Sequence, residues 1–289
     1  MAMDLSDLEI FCAVVKAGGV IRAAERLHRV PSNVTTRIRQ LEDNVGVQLF
    51  LREGNRLRIA PAGEILLVYA ERMLDLAGET REALQDTSPR GRLTLGTMES
   101  TAAVRLPAPL AEYHRLYPEV KLELHTGSTR TLMTRVISGE LETALVADPV
   151  PDERLGMKAL FKEELFLVTD PDHPKIVSPR DCVGDTVLAF ADGCTYRKRL
   201  EDWFSANNKV PDRVMEISSY HVMLGCVVSG MGIALLPKSV LEALPEHSRV
   251  STHRLSGDWR LSTTYMIWRN GVRSARVEAL GKVLQGRKS

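Results

Sequence analysis

A turn-forming tetrapeptide, Ser88-Pro89-Arg90-Gly91, divides this chain of 289 residues into two parts with different sequence patterns. Before it, apolar residues recur every three or four positions, which is typical of helices. After it, short β-rich runs alternate with helical patterns, which is typical of an α/β domain with a parallel sheet. Because a helix would not continue through this tetrapeptide, we predict that the main domain boundary lies there.

The first 60 residues contain three short helical patterns followed by a hairpin pattern. The first helix is predicted to end at Gly18-Gly19, the second to span Ile21 to His28, and the third to begin at Ser32, a good N-cap residue. Two short helices joined by a tight turn, the second with small polar and basic side chains facing outward, suit a helix-turn-helix that enters the DNA major groove. The alternating runs between Leu49 and Ile59 predict a hairpin that would form a wing.

The charge of the chain is unevenly distributed. With 38 basic and 37 acidic residues its formal charge is +1, which lacks the basic surplus usual in DNA-binding proteins. Between Arg22 and Arg58, however, eight arginines stand against four acids, so this segment carries +4 and the remainder −3. Charge and periodicity favour a DNA-binding domain, and a three-helix bundle with a basic solvated face is the alternative.

Several segments of the N-terminal part resemble the signature of the LysR-type transcriptional regulators. They are Ala23-Ala24-Glu25-Arg26-Leu27-His28, Ile38-Arg39-Gln40-Leu41-Glu42, Val45-Gly46-Val47, Leu49-Phe50-Leu51-Arg52 and Ala60-Pro61-Ala62-Gly63. The match is close over about the first 85 residues, and the remainder follows the general layout of the family. The resemblance implies an N-terminal all-α winged helix-turn-helix (residues 1–60), a long linker and dimerisation helix (61–88) and a C-terminal α/β, two-lobed, periplasmic-binding-protein-like sensor (92–289).

The recognition helix departs from the family pattern. The usual Ser-Gln-Pro turn is Val30-Pro31-Ser32 here, the frequent Ser-Arg is Thr35-Thr36, and Gly19 replaces the serine that usually opens the second helix. These changes leave the fold unaffected but bear on which operator sequence is read. Carried over position by position, the resemblance implies base contacts from Ser32, Asn33, Thr35 and Thr36 and phosphate contacts from Arg37, Arg52 and Arg56.

Residues Pro61 to Asp86 form one amphipathic stretch with a spacing close to a coiled-coil seam. The seam residues are Leu66, Tyr69, Met73, Leu76 and Thr80. A helix between two globular parts has nothing local to cover this stripe, so we expect it to pair with a second copy, as in the family; packing against its own domains is the alternative. We therefore expect a homodimer, extending to a homotetramer, on a pseudo-palindromic double-stranded DNA operator.

From Arg92 the pattern predicts a β-α-β-α-β series, and a second series runs from Asp185 to Pro237. Elements of the first series are strands Leu93–Leu95, Val120–Leu124 and Thr143–Val146 and helices Thr101–Leu116 and Leu132–Ser138. The segment from Leu261 to Trp268 and the terminal helix are expected to return to the first lobe. The resemblance therefore implies lobe I at about 92–163 and 267–289, and lobe II at about 164–266.

Two hinged α/β lobes form a cleft at the carboxyl ends of their strands, which is where ligands bind in such folds. The candidate effector-binding residues there are Glu99, Ser100, Thr101, Ser128, Thr129, Cys194, Thr195 and His221. Hydroxyls and helix N-termini, with Arg197 as a further candidate, favour a small carboxylate, the commonest effector type of the family. Glu99 would instead suit an amine, which favours an amino acid as the ligand. The alternative role of each hydroxyl is helix capping. The alternative for Glu99 is a surface carboxylate that the helix dipole stabilises.

Other classes of function have little support in the sequence. The seven histidines fall in no nucleophile, metal or phosphate-loop motif, so an α/β enzyme acting on a small metabolite is only the alternative function. The four cysteines form no CxxC pair or Cys/His cluster, so we expect no metal or cofactor; a redox role for Cys194 with Cys182 is a minor alternative. The acidic N-terminus and the lack of a long apolar run predict a cytoplasmic, nucleoid-associated protein without membrane contact, and disfavour an exported solute-binding protein.

Overall fold

The computed structural model describes residues 3–53, 56–84, 88–182 and 184–286. The chain divides into two compact units, Met1–Thr87 and Ser88–Ser289, and each is described by itself. Among the helices described, none combines the length and the apolar character needed to cross a membrane.

The described residues of the N-terminal unit form a winged helix-turn-helix and a long helix, which confirms the predicted fold class. The elements are α1 (Leu5–Ala17), α2 (Val20–Arg26), α3 (Pro31–Val45), β1 (Phe50–Glu53), β2 (Arg56–Ile59) and α4 (Pro61–Leu84). Strands β1 and β2 are antiparallel, with Phe50 opposite Ile59. Gly18 ends α1 in the left-handed conformation, at φ 65°, and its N–H donates to the last carbonyls of the helix.

Helix α3 starts earlier than predicted. Its N-cap is Val30, and Pro31 is the first helical residue, so the prediction of Ser32 as the N-cap is wrong. Proline fits the first helical position because the amide hydrogen it lacks would have no partner there. The shift of one or two residues leaves the outward face of α3 unchanged, because the buried positions remain Val34, Ile38 and Leu41.

The linker helix α4 contributes to the core of its own unit. Ala70 is fully buried, and Leu66, Leu67 and Met73 pack against the cluster formed by α1, α2 and α3. At the start of α4, Gly63 lies so close to the carbonyl oxygen of Leu49 that a Cβ atom could not be accommodated. For the side of α4 that carries Leu66, Ala70 and Met73, the alternative prediction therefore holds: these residues pack against the chain's own N-terminal unit.

The C-terminal unit alternates strands and helices. Its elements are β3 (Gly91–Thr97), α5 (Glu99–Val104), α6 (Pro107–Leu116), β4 (Val120–Thr126), α7 (Thr129–Ser138), β5 (Thr143–Ala147), β6 (Leu155–Thr169), β7 (Thr186–Ala189), α8 (Thr195–Ser205), β8 (Arg213–Glu216), α9 (Tyr220–Val228), β9 (Ile233–Pro237), α10 (Lys238–Ala243), β10 (Ser251–Arg254), β11 (Leu261–Arg269) and α11 (Ala275–Gly286). The single helix predicted from Thr101 to Leu116 is wrong. Two helices occupy this segment because Pro107 cannot continue the hydrogen-bond ladder of α5 and instead begins α6.

Two groups of parallel strands are joined through two long antiparallel strands. The order is β4-β3-β5-β11-β6-β9-β7-β8, with β10 also on β6. Strands β3, β4 and β5 are parallel in lobe I, and β7, β8 and β9 are parallel in lobe II. Strand β6 pairs with β11 up to Glu164 and with β9 from Leu165, while β11 pairs with β5 from Thr264 to Trp268. The lobe boundaries expected at 163/164 and 266/267 thus fall inside these two connecting strands.

Candidate effector cavity and DNA-binding surface

A cavity of about 210 Å³ lies between the two lobes of the C-terminal unit. Its walls are the segments that follow β3, β4, β7 and β8, so it occupies the carboxyl ends of the parallel strands. The residues that line it are Met98, Glu99, Ser100, Thr126, Gly127, Ser128, Thr129, Phe190, Ala191, Cys194, Thr195, Tyr196, Ser218 and Tyr220. This volume equals that of about seven liquid water molecules, which suits a small metabolite.

Six of the eight predicted effector residues lie in this lining: Glu99, Ser100, Ser128, Thr129, Cys194 and Thr195. Thr101 is buried and does not line the cavity, and His221 is exposed on α9 while its neighbour Tyr220 faces the cavity. Tyr196 and Tyr220 were not among the predicted residues. The rule that ligands bind at the carboxyl ends of parallel strands identifies the segment 220–221. Which of its two side chains points into the cavity depends on the rotation of α9 about its axis.

One wall brings threonines of both lobes together. The Thr195 hydroxyl lies 2.9 Å from that of Thr129 and donates to the carbonyl oxygen of Ala147 at 3.0 Å. Ser128 accepts a hydrogen bond from the amide of Thr131, so the capping role accounts for its side chain. Cys194 stands at the N-cap of α8 and makes no side-chain capping hydrogen bond. The N–H groups of Tyr196 and Arg197 in the first turn of α8 lie near the Cys194 thiol and counteract the effect of burial on its pKa.

The opposite wall carries a carboxylate and two phenols. The Ser100 hydroxyl lies near the phenols of Tyr196 and Tyr220, and burial raises the pKa of both phenols. Glu99 lies near the backbone N–H of Tyr220, and its Oε2 atom is buried without a hydrogen-bond partner. Burial raises the pKa of Glu99, and that amide and the nearby His221 act in the opposite direction.

The cavity contains no basic side chain among the described residues that line it. Arg197, suggested for carboxylate binding, is instead paired with Glu201 at 2.8 Å and Glu216 at 2.7 Å. Burial raises the pKa of Cys194 and that of Cys182, the latter to about 12, so neither thiol has the thiolate character of a redox centre. In the described parts of the chain, no group of three or more His, Cys, Asp or Glu side chains is placed to hold a metal ion.

Ion pairs connect the two lobes beside the cavity. Arg130 of α7 contacts Asp192 at 2.8 Å, and both side chains are largely exposed. Arg199 of α8 contacts Asp148 at 2.6 Å, and Asp148 also accepts hydrogen bonds from the Ser262 hydroxyl and the Thr263 amide. The second cluster is less exposed and lies where β5 ends, next to a connecting strand.

The predicted DNA-binding residues fall into three groups. Ser32, Asn33 and Thr36 are exposed on α3, whereas Thr35 is half-buried and its hydroxyl donates to the Pro31 carbonyl at 2.9 Å. The Arg37 guanidinium is held against α1 by buried Asp7, at 2.6 Å. The side chains of Arg52 and Arg56 lie outside the described part of the structure.

Comparisons with known proteins agree with this architecture. The family model described as "Bacterial regulatory helix-turn-helix protein, lysR family" matches residues 5–64, and that described as "LysR substrate binding domain" matches residues 86–288. The HTH-type transcriptional regulator GltR of Bacillus subtilis (strain 168) is 36% identical over 268 residues, covering 92% of this chain and 90% of that protein.

Solved structures of full-length regulators have the same fold. A full-length OxyR variant from Pseudomonas aeruginosa superimposes with a TM-score of 0.71 at 23% identity, covering 98% of this chain and 95% of the other. CbnR in complex with its target DNA gives a TM-score of 0.67 at 20% identity, covering 98% of this chain and 99% of the other.

A winged helix-turn-helix joined to a two-lobed α/β domain with a cavity between its lobes defines a transcriptional regulator with a sensor domain. The chain belongs to the LysR family of DNA-binding transcriptional regulators. The relatives named above are transcriptional regulators, so the prediction that the chain is not an enzyme is confirmed and the α/β enzyme alternative is dropped.

Proposed function

We propose that this regulator changes its DNA contacts when a small carboxylate or amino acid binds in the cavity between its lobes. The observation that carries the proposal is that the lining comes from both lobes, with Thr129 of lobe I against Thr195 of lobe II. A ligand in contact with both lobes binds one lobe arrangement better than another. That differential affinity is what shifts the equilibrium between arrangements.

The proposed effector contacts are the predicted residues that line the cavity. The hydroxyl groups of Ser100, Thr129 and Thr195 and the amides at the start of α8 offer hydrogen bonds to an oxyanion. Tyr196 and Tyr220 add two buried phenols that the sequence did not single out. Thr101 and His221, outside the lining, would act through their neighbours rather than by contact.

We also propose that α4 pairs with α4 of a second copy to form a homodimer, through a stripe that keeps Tyr69 and Leu76 of the predicted seam but not Leu66 and Met73. Leu66 and Met73 pack inward, whereas the exposed apolar side chains of α4 lie at neighbouring positions. These residues, termed the exposed stripe, are Ile65, Val68, Tyr69 and Leu76. Pairing of two such stripes would place two helix-turn-helix units on a pseudo-palindromic operator, with a tetramer as the further assembly.

On DNA, Ser32, Asn33, Thr35 and Thr36 are proposed to contact bases, and Arg37, Arg52 and Arg56 phosphates. The exposure of Asn33 and Thr36 on α3 supports the first assignment. The ion pair between Arg37 and Asp7 gives that arginine a structural role in addition. A regulator with these contacts acts in the cytoplasm, at the nucleoid.

The experiment that tests DNA recognition is a mobility-shift titration at several salt concentrations, on an operator selected from random double-stranded DNA and on unselected DNA. Thr36→Ala should reduce discrimination between operator and random DNA, because it removes a group at the base edges. Arg52→Ala should weaken binding to all sequences and lower the salt slope by about 1. The matched control is Thr134→Ala, an exposed threonine of α7, which should change neither. Binding that shows neither sequence preference nor salt dependence would contradict the proposal.

A further inference from the structure

The charge of the cavity differs from what a simple carboxylate requires. Of the described residues that line it, Glu99 is the one acid and none is a lysine, arginine or histidine; His221, outside the lining and exposed on α9, is the histidine near Glu99. Arg197 is occupied by Glu201 and Glu216. A ligand with only negative charge would therefore enter a confined space that holds a carboxylate and no compensating cation. Like charges at such short range are unfavourable.

Glu99 is itself incompletely paired. Its Oε2 atom is buried and has no hydrogen-bond partner. It forms no ion pair with any described residue. A buried oxygen without a donor costs free energy, so a donor supplied by a ligand would be favoured at this position.

The surroundings of Glu99 suit a cationic donor. Ser100 and the phenols of Tyr196 and Tyr220 supply neutral oxygens on the same wall. The rings of Phe190 and Tyr220 meet edge to face at 4.8 Å between centroids and add aromatic surface. Acceptor oxygens and aromatic rings next to a carboxylate are the groups with which proteins hold an ammonium ion.

We infer that the effector carries a protonated amine bound by Glu99, and that it is an amino acid or a related small zwitterion. This inference rests on the proposed function and specifies its ligand class. The amine contacts Oε2 of Glu99, and the carboxylate of the ligand contacts the hydroxyls of Thr129 and Thr195 elsewhere in the lining. Glu99 of lobe I and Tyr220 of lobe II both line the cavity, so an amine bound at Glu99 lies where the two lobes meet.

The test is a calorimetric and thermal-shift titration of the full-length protein with the proteinogenic amino acids at millimolar concentration. Each is compared with the same molecule lacking the amine and with the same molecule lacking the carboxylate. We expect at least one amino acid to bind and its amine-free analogue to bind at least about tenfold more weakly, which corresponds to about 1.4 kcal/mol.

Glu99→Gln keeps the size and the hydrogen-bonding capacity of the side chain but removes its charge. It should weaken binding of the amino acid about tenfold or more and leave the melting temperature of the unliganded protein nearly unchanged. Glu119→Gln, an exposed position before β4, is the control and should bind as the parent does. If Glu99→Gln binds the amino acid as tightly as the parent, the inference is overturned.

Two further outcomes separate this inference from the proposed function. If amine-free carboxylates bind as tightly as amino acids and change DNA binding, Glu99 acts as a neutral acid and the inference fails, while the proposed function stands. If an amino acid binds through Glu99 but leaves the DNA affinity unchanged, the inference stands and the proposed function fails. If no compound with an amine binds, the inference is also overturned.

Discussion

Truncation of the exposed stripe of α4 should dissociate the dimer without unfolding the protein. Ile65 and Leu76 are 64% and 54% exposed. More than half of the surface of each would therefore be buried if a partner helix packed against it. The double variant Ile65→Ala and Leu76→Ala keeps a residue that favours helix at both positions. Far-UV circular dichroism should therefore remain unchanged.

The size of the effect follows from the exposed area. Full burial of an isoleucine or leucine contributes about 1.5–3 kcal/mol. The exposed half of each side chain therefore has about 1 kcal/mol to gain on pairing. Two positions in each of two copies give about 4 kcal/mol, which raises the dimer Kd about 1000-fold. Sedimentation equilibrium over a range of protein concentrations measures this shift.

Leu66→Ala is the matched control, because Leu66 neighbours the stripe but packs against the core of its own unit. It should lower the melting temperature by opening a space in that core, and the folded fraction should dimerise normally. An unchanged Kd in the double variant would refute the assignment of the exposed stripe. Dissociation by Leu66→Ala at an unchanged melting temperature would refute it equally, since the seam would then follow the pattern predicted from sequence.

Arg276→Met breaks a 2.6 Å ion pair with Glu142 whose side chains are only 8% and 12% exposed; unfolding in urea should show a loss of about 3–5 kcal/mol. Gly63→Ala should lower the melting temperature and weaken DNA binding because its Cβ atom meets backbone. By contrast, Gly78→Ala on the same helix has open space and should stabilise by about 0.5–1 kcal/mol. Burial lowers the pKa of His253, so the unfolded chain takes up the proton first and stability falls as the pH drops below about 6.5. His253→Gln should reduce that loss, measured by urea unfolding at neutral and acidic pH.

Local patterns predicted the type of the elements in the N-terminal unit and in the first series of lobe I, but β6, α10 and β10 were not predicted individually. The outward face of α3 and the strand ends around the cavity follow from periodicity alone, since one buried face fixes the opposite one. The exact start of α3 did not follow, because Pro31 and Ser32 both suit the first turn of a helix and neighbouring packing decides between them. The break between α5 and α6 did have a signal in the sequence, namely Pro107.

Two failures share a cause. For α4, Leu66 and Met73 of the predicted seam face the N-terminal core, whereas Tyr69 and Leu76 of the same seam are exposed. For α9, the segment was found but His221 was chosen over Tyr220. In both helices the competing side chains are neighbours on an amphipathic surface. Only the position of the packing partner, which is not encoded locally, decides which of them turns inward.

The ion pairs between the lobes differ in how much they contribute to the equilibrium between lobe arrangements. The pair between Arg130 and Asp192 is 68% and 73% exposed, and such pairs contribute about 0–1 kcal/mol. The cluster around Asp148 and Arg199 is less exposed but lies at the connecting strands, where it fixes the hinge more than the width of the cleft. A ligand with a micromolar Kd releases about 8 kcal/mol, of which only the difference between lobe arrangements acts on the equilibrium. The exposed pair at the cleft therefore adds little to the cost of rearrangement, and a ligand acts mainly against the shared apolar cluster and the hydrogen bonds of Thr195 to Thr129 and Ala147.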